Sequence, residues 1–285
     1  MNRVALATYA NLPGLNDDDR LLIPALDALG LSAAPAVWDA PDVRWDEFRA
    51  VMVRSCWDYH HRLEEFLAWV DRLERAGVPL WNPPAVLRWN SHKGYLRDLE
   101  ACGVPIVPTR WLARGQAVDL ARLLRQEAWR SAVVKPAVSA SAFGTWATGS
   151  DGGSTDQARL NELVDAGDVM IQPLVDEVRD TGEWSILFYG GRFSHAVLKR
   201  PAAGDYRVQW EFGGSAVSAT PPPHLVAAAE RVLAAAPGGL LYARVDGVER
   251  NGQLVLMELE LIEPHLFLGW NAGAPARLAA ALARS

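Results

Sequence analysis

The chain has 285 residues, of which 50% are hydrophobic and 22% are charged, so it is long enough for a sizeable core and is not intrinsically disordered. Its net charge of -6 argues against nucleic acids or anionic membranes as general partners. Two cysteines are too few for a disulfide framework or a Cys-rich zinc site. Neither a membrane-spanning run nor a signal peptide is apparent, so a cytoplasmic protein is expected.

The first 85 residues alternate between strand and helix patterns. Strands are predicted where short apolar runs occur, at 4–8, 33–38 and 50–54. Helices are predicted where apolar residues recur at helical spacing before a glycine, at 21–29 and 63–76. Such alternation is typical of a parallel sheet in an α/β domain. The run Asn82-Pro83-Pro84 follows and indicates a domain boundary.

The rest of the chain changes character at about residue 183. Before that point the sequence predicts a helix at 91–101, short strands at 133–134 and 169–172, and a long loop of small residues at 137–155. Beyond it, strands predominate, and they are predicted at 185–189, 193–198, 241–248 and 254–261. Two helices are predicted among them, at 223–236 and 274–284. This pattern favours an α+β arrangement.

An acidic pair interrupts the last predicted strand. Side chains alternate along a strand, so Glu258 and Glu260 share one face while Leu259 takes the other. Two like charges on one face repel each other, and Mg²⁺ would relieve that repulsion because it prefers carboxylate oxygens. The solvent-facing side of an edge strand explains the same pattern equally well.

The position of Asp246 distinguishes these two interpretations. It lies on the preceding predicted strand, and an Asn-Gly pair between the strands is a strong hairpin signal. A two-residue turn at 251–252 would place Asp246 opposite Met257, on the wrong face. A register shifted by one residue would place it opposite Glu258. The metal hypothesis therefore predicts a loop with an odd number of residues, such as 251–253, and a two-residue turn would count against the site.

Lysine is rare in this chain. Only three of the 28 basic residues are lysines, Lys93, Lys135 and Lys199. A codon bias towards arginine explains the other 25, whereas lysine is a compact charge suited to a phosphate oxygen. Small residues at 139–145 follow Lys135 and would let backbone N–H groups approach phosphates. A glycine-bounded basic segment at 204–209 follows Lys199 and could clamp a phosphate. Taken alone, each segment is more simply an ordinary loop.

The segment after the third predicted strand combines groups suited to a small polar substrate. Arg54, Ser55, Trp57 and Asp58 lie at the carboxyl end of a strand, where α/β proteins place ligands. A structural ion pair between Arg54 and Asp58 is the alternative. No Ser/His/Asp triad and no zinc-ligand spacing is apparent in the sequence.

The order of these motifs resembles the ATP-grasp superfamily over residues 82–270, and residues 1–81 resemble the Rossmann-like domain that precedes it. The segments that carry the resemblance are 90–93, 103–109, 133–136, 170–174, 182–183, 204–207, Asp246, and Glu258 with Glu260. Within the superfamily the chain resembles glutathione-synthetase-like and ribosomal-protein-modifying ligases, and most of all the cycloserine-forming O-ureido-serine cyclo-ligases. That nearer likeness is carried by 8–13, 54–59 and 258–264.

The resemblance implies an ATP-grasp fold of the α/β and α+β class, in which two α+β subdomains clasp ATP. It places a Rossmann-like domain at 1–85, a lid subdomain with its linker helix at 86–173, and a catalytic subdomain at 174–285. Two departures from the family pattern are visible. Glu258-Leu259-Glu260 stands where many relatives have Glu-x-Asn, and the loop at 139–145 is rich in serine and alanine rather than glycine.

The resemblance also implies roles for individual residues. Lys93 and Lys135 would bind the α- and β-phosphates of ATP, and Lys199 and Arg207 would face the γ-phosphate and the acyl-phosphate. The other ATP contacts, from the small-residue loop, the adenine hinge and the ribose carboxylate, would be Ser139, Ser141, Gly144, Gln172, Pro173, Leu174, Val175 and Glu183. Mg²⁺ would be held by Asp246, Glu258 and Glu260. The candidate substrate contacts are Asn11, Arg54, Ser55, Trp57 and Asp58.

These features predict an ATP- and Mg²⁺-dependent carboxylate-amine ligase. It would act through an acyl-phosphate on a small amino-acid-like substrate, with intramolecular cyclisation as in cycloserine formation. An intermolecular amide or peptide ligase and a nucleotide-binding module without catalysis are the alternatives. No nucleic-acid or membrane partner is expected, and a homo-oligomer is compatible with the resemblance.

Overall fold

The computed structural model describes residues 2–285, apart from the side chain of Glu211. Its first part is a four-stranded parallel sheet with the strand order β2-β1-β3-β4. The strands are β1 (Arg3–Thr8), β2 (Ser32–Val37), β3 (Ala50–Ser55) and β4 (Leu80–Trp81). The helices are α1 (Asp17–Arg20), α2 (Leu22–Asp27) and α3 (Leu63–Arg75). The predicted parallel α/β sheet is confirmed.

The helix predicted at 21–29 is wrong in its extent, because two short helices occupy 17–27. Asn16 caps α1, since its side chain accepts a hydrogen bond from the Asp19 N–H. Pro24 has no N–H with which to continue the hydrogen-bond ladder back to Arg20, and α2 begins just before it.

Two short helices lead out of this sheet, α4 (Pro84–Asn90) and α5 (Tyr95–Ala101). α5 lies within the helix predicted at 91–101 but begins four residues later, and α4 was not predicted. The predicted boundary residue Asn82 is fully buried and links the first part of the chain to the last by hydrogen bonds. Its side-chain amide donates to the carbonyl oxygens of Tyr242 at 2.9 Å and Leu261 at 2.7 Å.

The middle of the chain forms a four-stranded antiparallel sheet with the order β5-β8-β6-β7. Its elements are β5 (Arg110–Leu112), α6 (Leu120–Gln126), β6 (Ser131–Pro136), β7 (Trp146–Gly149), α7 (Ser154–Ala166) and β8 (Val169–Pro173). The loop predicted at 137–155 is therefore too long, since β7 and the start of α7 lie within it. Trp146 and Thr148 face inward from β7, which gives this polar segment an apolar side.

The last part is a five-stranded antiparallel sheet with the order β11-β10-β9-β12-β13. Its elements are α8 (Glu177–Asp180), β9 (Glu183–Tyr189), β10 (Arg192–Arg200), β11 (Ser215–Ser218), α9 (Pro223–Ala235), β12 (Tyr242–Arg250), β13 (Gln253–Glu260) and α10 (Ala274–Arg284). The predicted strands and helices of this part are confirmed, with ends displaced by at most two residues.

One apolar core joins the first sheet to the last. Leu6, Leu26, Leu187 and Leu278 belong to it, so β1, α2, β9 and α10 pack together. Each of the three sheets falls within one of the predicted domain ranges, while the domain boundaries themselves remain a prediction. Within residues 2–285, no helix combines the length and apolarity required to cross a bilayer.

Candidate active site

A cavity of about 310 Å³ opens between the three sheets. Residues from every part of the chain line it. Trp57 and Tyr59 come from the first part, Lys135 from the end of β6, and Lys199 from the end of β10. The carboxylates of Asp246, Glu258 and Glu260 line it from β12 and β13.

The β12–β13 hairpin brings Asp246 and Glu258 together in a way that the sequence did not predict. Arg250 pairs with Gln253, so the turn has two residues and the predicted odd-numbered loop is wrong. The register then shifts between Asp246 and Gly247, so that Asp246 pairs with Glu258. A β-bulge, rather than the turn, therefore restores the predicted pairing.

Gly247 is required at this bulge. It pairs with Leu256, and a Cβ atom on it would lie 2.6 Å from the carbonyl oxygen of Val255. Only a residue without a side chain allows the two strands to approach so closely. Met257 is the extra residue of the bulge.

Asp246 lies at the centre of a buried ionic network. It accepts hydrogen bonds from Arg244 Nη2 at 2.8 Å, from Ser185 Oγ at 2.6 Å and from Lys199 Nζ at 3.2 Å. Burial alone would raise the pKa of Asp246, but Arg244 and Lys199 outweigh it and hold that pKa well below its usual range. The Asp246 carboxylate is therefore ionised at neutral pH.

The two glutamates of β13 also contact cations, but their pKa values shift in opposite directions. Lys93 contacts Glu258, and its charge lowers the pKa of that carboxyl although burial opposes the shift. Arg244 contacts Glu260, yet burial and repulsion from Glu258 and Asp246 raise the pKa of Glu260 to about 8. The pKa values of these two neighbouring carboxyls are thus shifted in opposite directions.

Lys135 differs from the other two lysines of the cleft. Lys93 contacts Glu258, and Lys199 lies between Glu183 at 2.6 Å and Asp246 at 3.2 Å. Among the ion pairs of residues 2–285, none includes Lys135. Burial lowers its pKa to about 8. This lysine is therefore available to an anionic ligand.

The small-residue loop at 139–145 lies against the cleft and against the first part of the chain. Ser139 and Ser141 line the cavity, whereas Gly144 does not. Gly144 has a φ of +67°, and a Cβ atom on it would lie 2.9 Å from the Pro136 ring. The exposed Phe143 ring packs on the His61 ring, with 4.6 Å between centroids. The contact between Phe143 and His61 links the loop to the first part of the chain.

The predicted hinge also faces the cavity. Gln172, Pro173, Leu174 and Val175 all line it. The Leu174 N–H is already bound to the carbonyl of Ser131 at 3.0 Å, so its own carbonyl is the group available to a ligand. The Gln172 side chain donates to Thr109 Oγ1 at 2.9 Å.

Glu183 and Arg207 line the cavity, but each already has a partner. The Glu183 carboxylate binds Lys199, so in this geometry it does not present both oxygens to a ribose. The Arg207 guanidinium donates to Asp205 at 2.9 Å and lies over the Phe212 ring at 3.5 Å from its centroid. A phosphate would have to draw it away from Asp205.

Only Trp57 of the five predicted substrate contacts lines the cavity, and Asn11 lies exposed elsewhere. Arg54 is 1% exposed, and it donates to Asp19 at 3.0 Å and to the Pro264 carbonyl at 2.6 Å. The predicted alternative, an ion pair between Arg54 and Asp58, is wrong, because Arg54 pairs with Asp19 and Asp58 with Arg62.

The other two candidates are bonded within the first part of the chain. Ser55 donates to Asp19 at 2.7 Å. Asp58 accepts hydrogen bonds from the Trp38 indole at 2.9 Å and from Arg62 at 2.5 Å. These side chains hold the segment that carries Trp57, and they do not reach the cavity themselves.

Sequence reasoning missed several residues of the cleft. Arg244 bridges Asp246 and Glu260, and the shifted register that pairs Asp246 with Glu258 also pairs Arg244 with Glu260. This register was the sequence signal that could have identified Arg244. Glu263 and His265 also line the cavity from the irregular segment after β13, where no strand periodicity indicates which way a side chain points.

The predicted convergence of three carboxylates on one metal is not present in this geometry. Within residues 2–285, no three Asp, Glu, His or Cys side chains are placed to hold a metal ion. Asp246, Glu258 and Glu260 contact Arg244, Lys199 and Lys93 instead. Their oxygens are nevertheless the donors that Mg²⁺ prefers, and all three line one cavity.

Comparison with known proteins gives a consistent result. Residues 4–82 match the family model described as the N-terminal domain of the D-cycloserine synthetase DcsG. The chain is 33% identical to the cycloserine biosynthesis protein DcsG of Streptomyces lavendulae, over 99% of this chain and 98% of that protein.

Two solved structures show the same architecture. The crystal structure of D-cycloserine synthetase DcsG covers 99% of each chain at 30% identity, with a TM-score of 0.88. The RimK domain ATP-grasp protein of Sphaerobacter thermophilus DSM 20745 covers 99% of each chain at 18% identity, with a TM-score of 0.72. The predicted ATP-grasp fold is confirmed.

Proposed function

The chain belongs to the DcsG family of ATP-grasp ligases, enzymes that form C–N bonds with ATP, and we propose that it activates the carboxylate of a small amino-acid-like substrate as an acyl-phosphate. The amine that displaces phosphate belongs to the same molecule, as in cycloserine formation. The observation that supports this proposal is the ionic arrangement of the cleft. Lys93, Lys199 and Arg244 contact its carboxylates, whereas Lys135 contacts none of the carboxylates that the structure describes.

ATP binding would exchange the partners of these cations. A triphosphate attracts a lysine more strongly than a single carboxylate does, because it carries more negative charge at a comparable distance. We expect Lys135 to bind it first, followed by Lys93, which leaves Glu258. Ser139 and Ser141 would approach the phosphates, and residues 172–175 would lie along the adenine.

Mg²⁺ fits the carboxylates of this cleft, of which the exchange releases Glu258. Asp246, Glu258 and Glu260 supply hard oxygen donors on the facing strands β12 and β13. ATP-grasp ligases among the structural neighbours include complexes with Mg and ADP. When bound, the ion would neutralise negative charge on the phosphate oxygens.

The reaction then needs no protein nucleophile. A substrate carboxylate oxygen forms a bond to the γ-phosphorus while the bond from that phosphorus to the ADP oxygen breaks, which gives ADP and an acyl-phosphate. A nitrogen then attacks the carbonyl carbon, loses a proton, and expels phosphate. Lys199 and Arg207 neutralise the charge that develops during the first step, and Arg244 holds Asp246 and Glu260 in place.

Release of ADP tests the proposal. Purified protein is incubated with ATP, Mg²⁺ and either O-ureido-serine or one member of an amino-acid panel, and ADP and product are measured by coupled assay and mass spectrometry. The Glu258→Gln and Lys135→Ala variants are expected to lose at least about 100-fold in turnover, the scale of removing one charged group from a phosphoryl-transfer site. Glu162→Gln, at an exposed position on α7, is the charge-matched control.

The alternatives are separate outcomes of the same assay. ADP release that requires a second amine in solution would indicate an intermolecular ligase. ATP binding without ADP release across the whole panel would indicate a nucleotide-binding module. Full activity of both Glu258→Gln and Lys135→Ala would refute the roles assigned here.

A further inference from the structure

The carboxylates of the cleft are not equally compensated. Of the five described carboxylates that line the cavity, four contact a protein cation, namely Glu183, Asp246, Glu258 and Glu260. Glu263 is the exception, because it takes part in no ion pair of the described chain, residues 2–285. It is 9% exposed and lines the cavity. A buried carboxylate without a cation is costly, so this position is suited to a cation supplied from outside the protein.

The segment that carries Glu263 is rigidly held. On one side of it, the Ile262 carbonyl accepts a hydrogen bond from the Tyr242 hydroxyl at 2.9 Å. On the other side, the Pro264 carbonyl accepts one from the buried Arg54 at 2.6 Å. Arg54 thus contributes to the cavity through the backbone beside Glu263. These two hydrogen bonds fix the backbone on both sides of Glu263.

The protein cations nearest to Glu263 are committed elsewhere. Lys93 contacts Glu258, and Arg244 is held by Asp246 and Glu260. Both act on Glu263 only from a distance, and their effect is smaller than that of burial, which raises its pKa to about 7. A ligand ammonium placed beside Glu263 would supply the missing charge.

Aromatic side chains share this cavity with Glu263. Trp57, Tyr59 and His265 line the cavity together with Glu263. Aromatic side chains favour a cation near their faces, and they exclude the water that would otherwise weaken its attraction to a carboxylate.

We propose that Glu263 binds the ammonium group of the amino-acid substrate and selects it over substrates that lack this group. The inference rests on the proposed function, because the reacting carboxylate belongs to the same small molecule. Glu263 lies three residues beyond Glu260 along the chain, so the ammonium site adjoins the carboxylates assigned to the metal. The expected substrate class is therefore amino acids with a free amine, not hydroxy acids or simple carboxylic acids.

The experiment compares two substrates on three proteins. The best amino-acid substrate from the ADP screen, beginning with O-ureido-serine, is paired with its analogue that has hydrogen in place of the amino group. For O-ureido-serine this analogue is 3-(ureidooxy)propanoate. Values of kcat/KM for both are measured on the wild type, Glu263→Gln and Glu263→Asp. Thermal unfolding and ATP affinity are measured on each protein, with Glu162→Gln as the charge-matched control.

The wild type is expected to prefer the amine-bearing substrate by about 10- to 100-fold, the range for one charged hydrogen bond. Glu263→Gln should reduce this preference to within a few-fold, mainly through KM, with ATP affinity unchanged. Glu263→Asp keeps the charge and should retain most of the preference. If Glu263→Gln does not fold, the other two proteins still test the inference. Equal kcat/KM values for the two substrates, in both the wild type and Glu263→Asp, would overturn it.

Two results distinguish a failure of this inference from a failure of the proposed function. ADP release with the same preference ratio in wild type and Glu263→Gln would overturn the role of Glu263 and leave the ligase activity standing. No ADP release from any substrate would overturn the proposed function, and the inference with it.

Discussion

Replacing Gly247 by alanine tests whether the β-bulge positions the acidic residues of the cleft. The new Cβ atom would lie 2.6 Å from the Val255 carbonyl oxygen, whereas ordinary contact begins at 3.4 Å, so β12 and β13 must separate locally by about 0.8 Å. Overpacking of this kind costs about 1–3 kcal/mol of stability. Because Asp246 pairs with Glu258 next to the bulge, the same displacement moves the two carboxylates apart.

The substitution should lower activity as well as stability. A displacement of about 1 Å at a reacting site can cost on the order of 100-fold in rate. We expect Gly247→Ala to lower kcat by about that factor, and to lower the unfolding temperature by several degrees. ADP release is measured at a temperature where the variant is fully folded, as judged by circular dichroism.

Gly238→Ala is the matched control. A Cβ atom on Gly238 would meet nothing within 4 Å, so neither activity nor unfolding temperature should change. If Gly247→Ala retains the kcat and the unfolding temperature of the wild type, the bulge does not constrain the site and the reasoning is refuted.

Two further predictions concern buried charges. The pKa of Lys135 is lowered to about 8, so ATP affinity should decline as the pH rises through 8. Lys135→Arg should remove that decline, because arginine stays protonated. A pH dependence of ATP affinity that is the same in Lys135→Arg as in the wild type would contradict this. Arg54→Met leaves the buried Asp19 carboxylate without its cation. It should lower the free energy of unfolding, measured with denaturant, by about 3–5 kcal/mol. Arg20→Met breaks an exposed pair and should cost under about 1 kcal/mol; equal losses from both variants would show that Arg54 does not compensate a buried charge.

The sequence predicted the elements whose signals are local. Alternating or helically spaced apolar residues identified most strands and helices, and Asp246, Glu258, Lys93, Lys135 and Lys199 all line one cavity. β7 was missed because only Trp146 is large and apolar in it, and its inward side is defined by packing against residues of α6, α7 and its own sheet.

The roles of paired charges were harder to predict, because their partners are distant in sequence. Arg54 and Asp58 are close enough along the chain to suggest an ion pair, yet Arg54 binds Asp19, 35 residues away. The bulge at Met257 changed a register that the Asn-Gly turn alone would have set on the wrong face. Glu263 lies in irregular backbone, where only the folded structure determines its direction.

The fate of a carboxylate oxygen tests the acyl-phosphate route most directly. Substrate labelled with ¹⁸O in its carboxylate is incubated with the enzyme, ATP and Mg²⁺, and the released phosphate is analysed by mass spectrometry. Attack of the carboxylate on the γ-phosphorus predicts one ¹⁸O atom in each phosphate released with ADP. Unlabelled phosphate formed alongside the amide product would contradict the account.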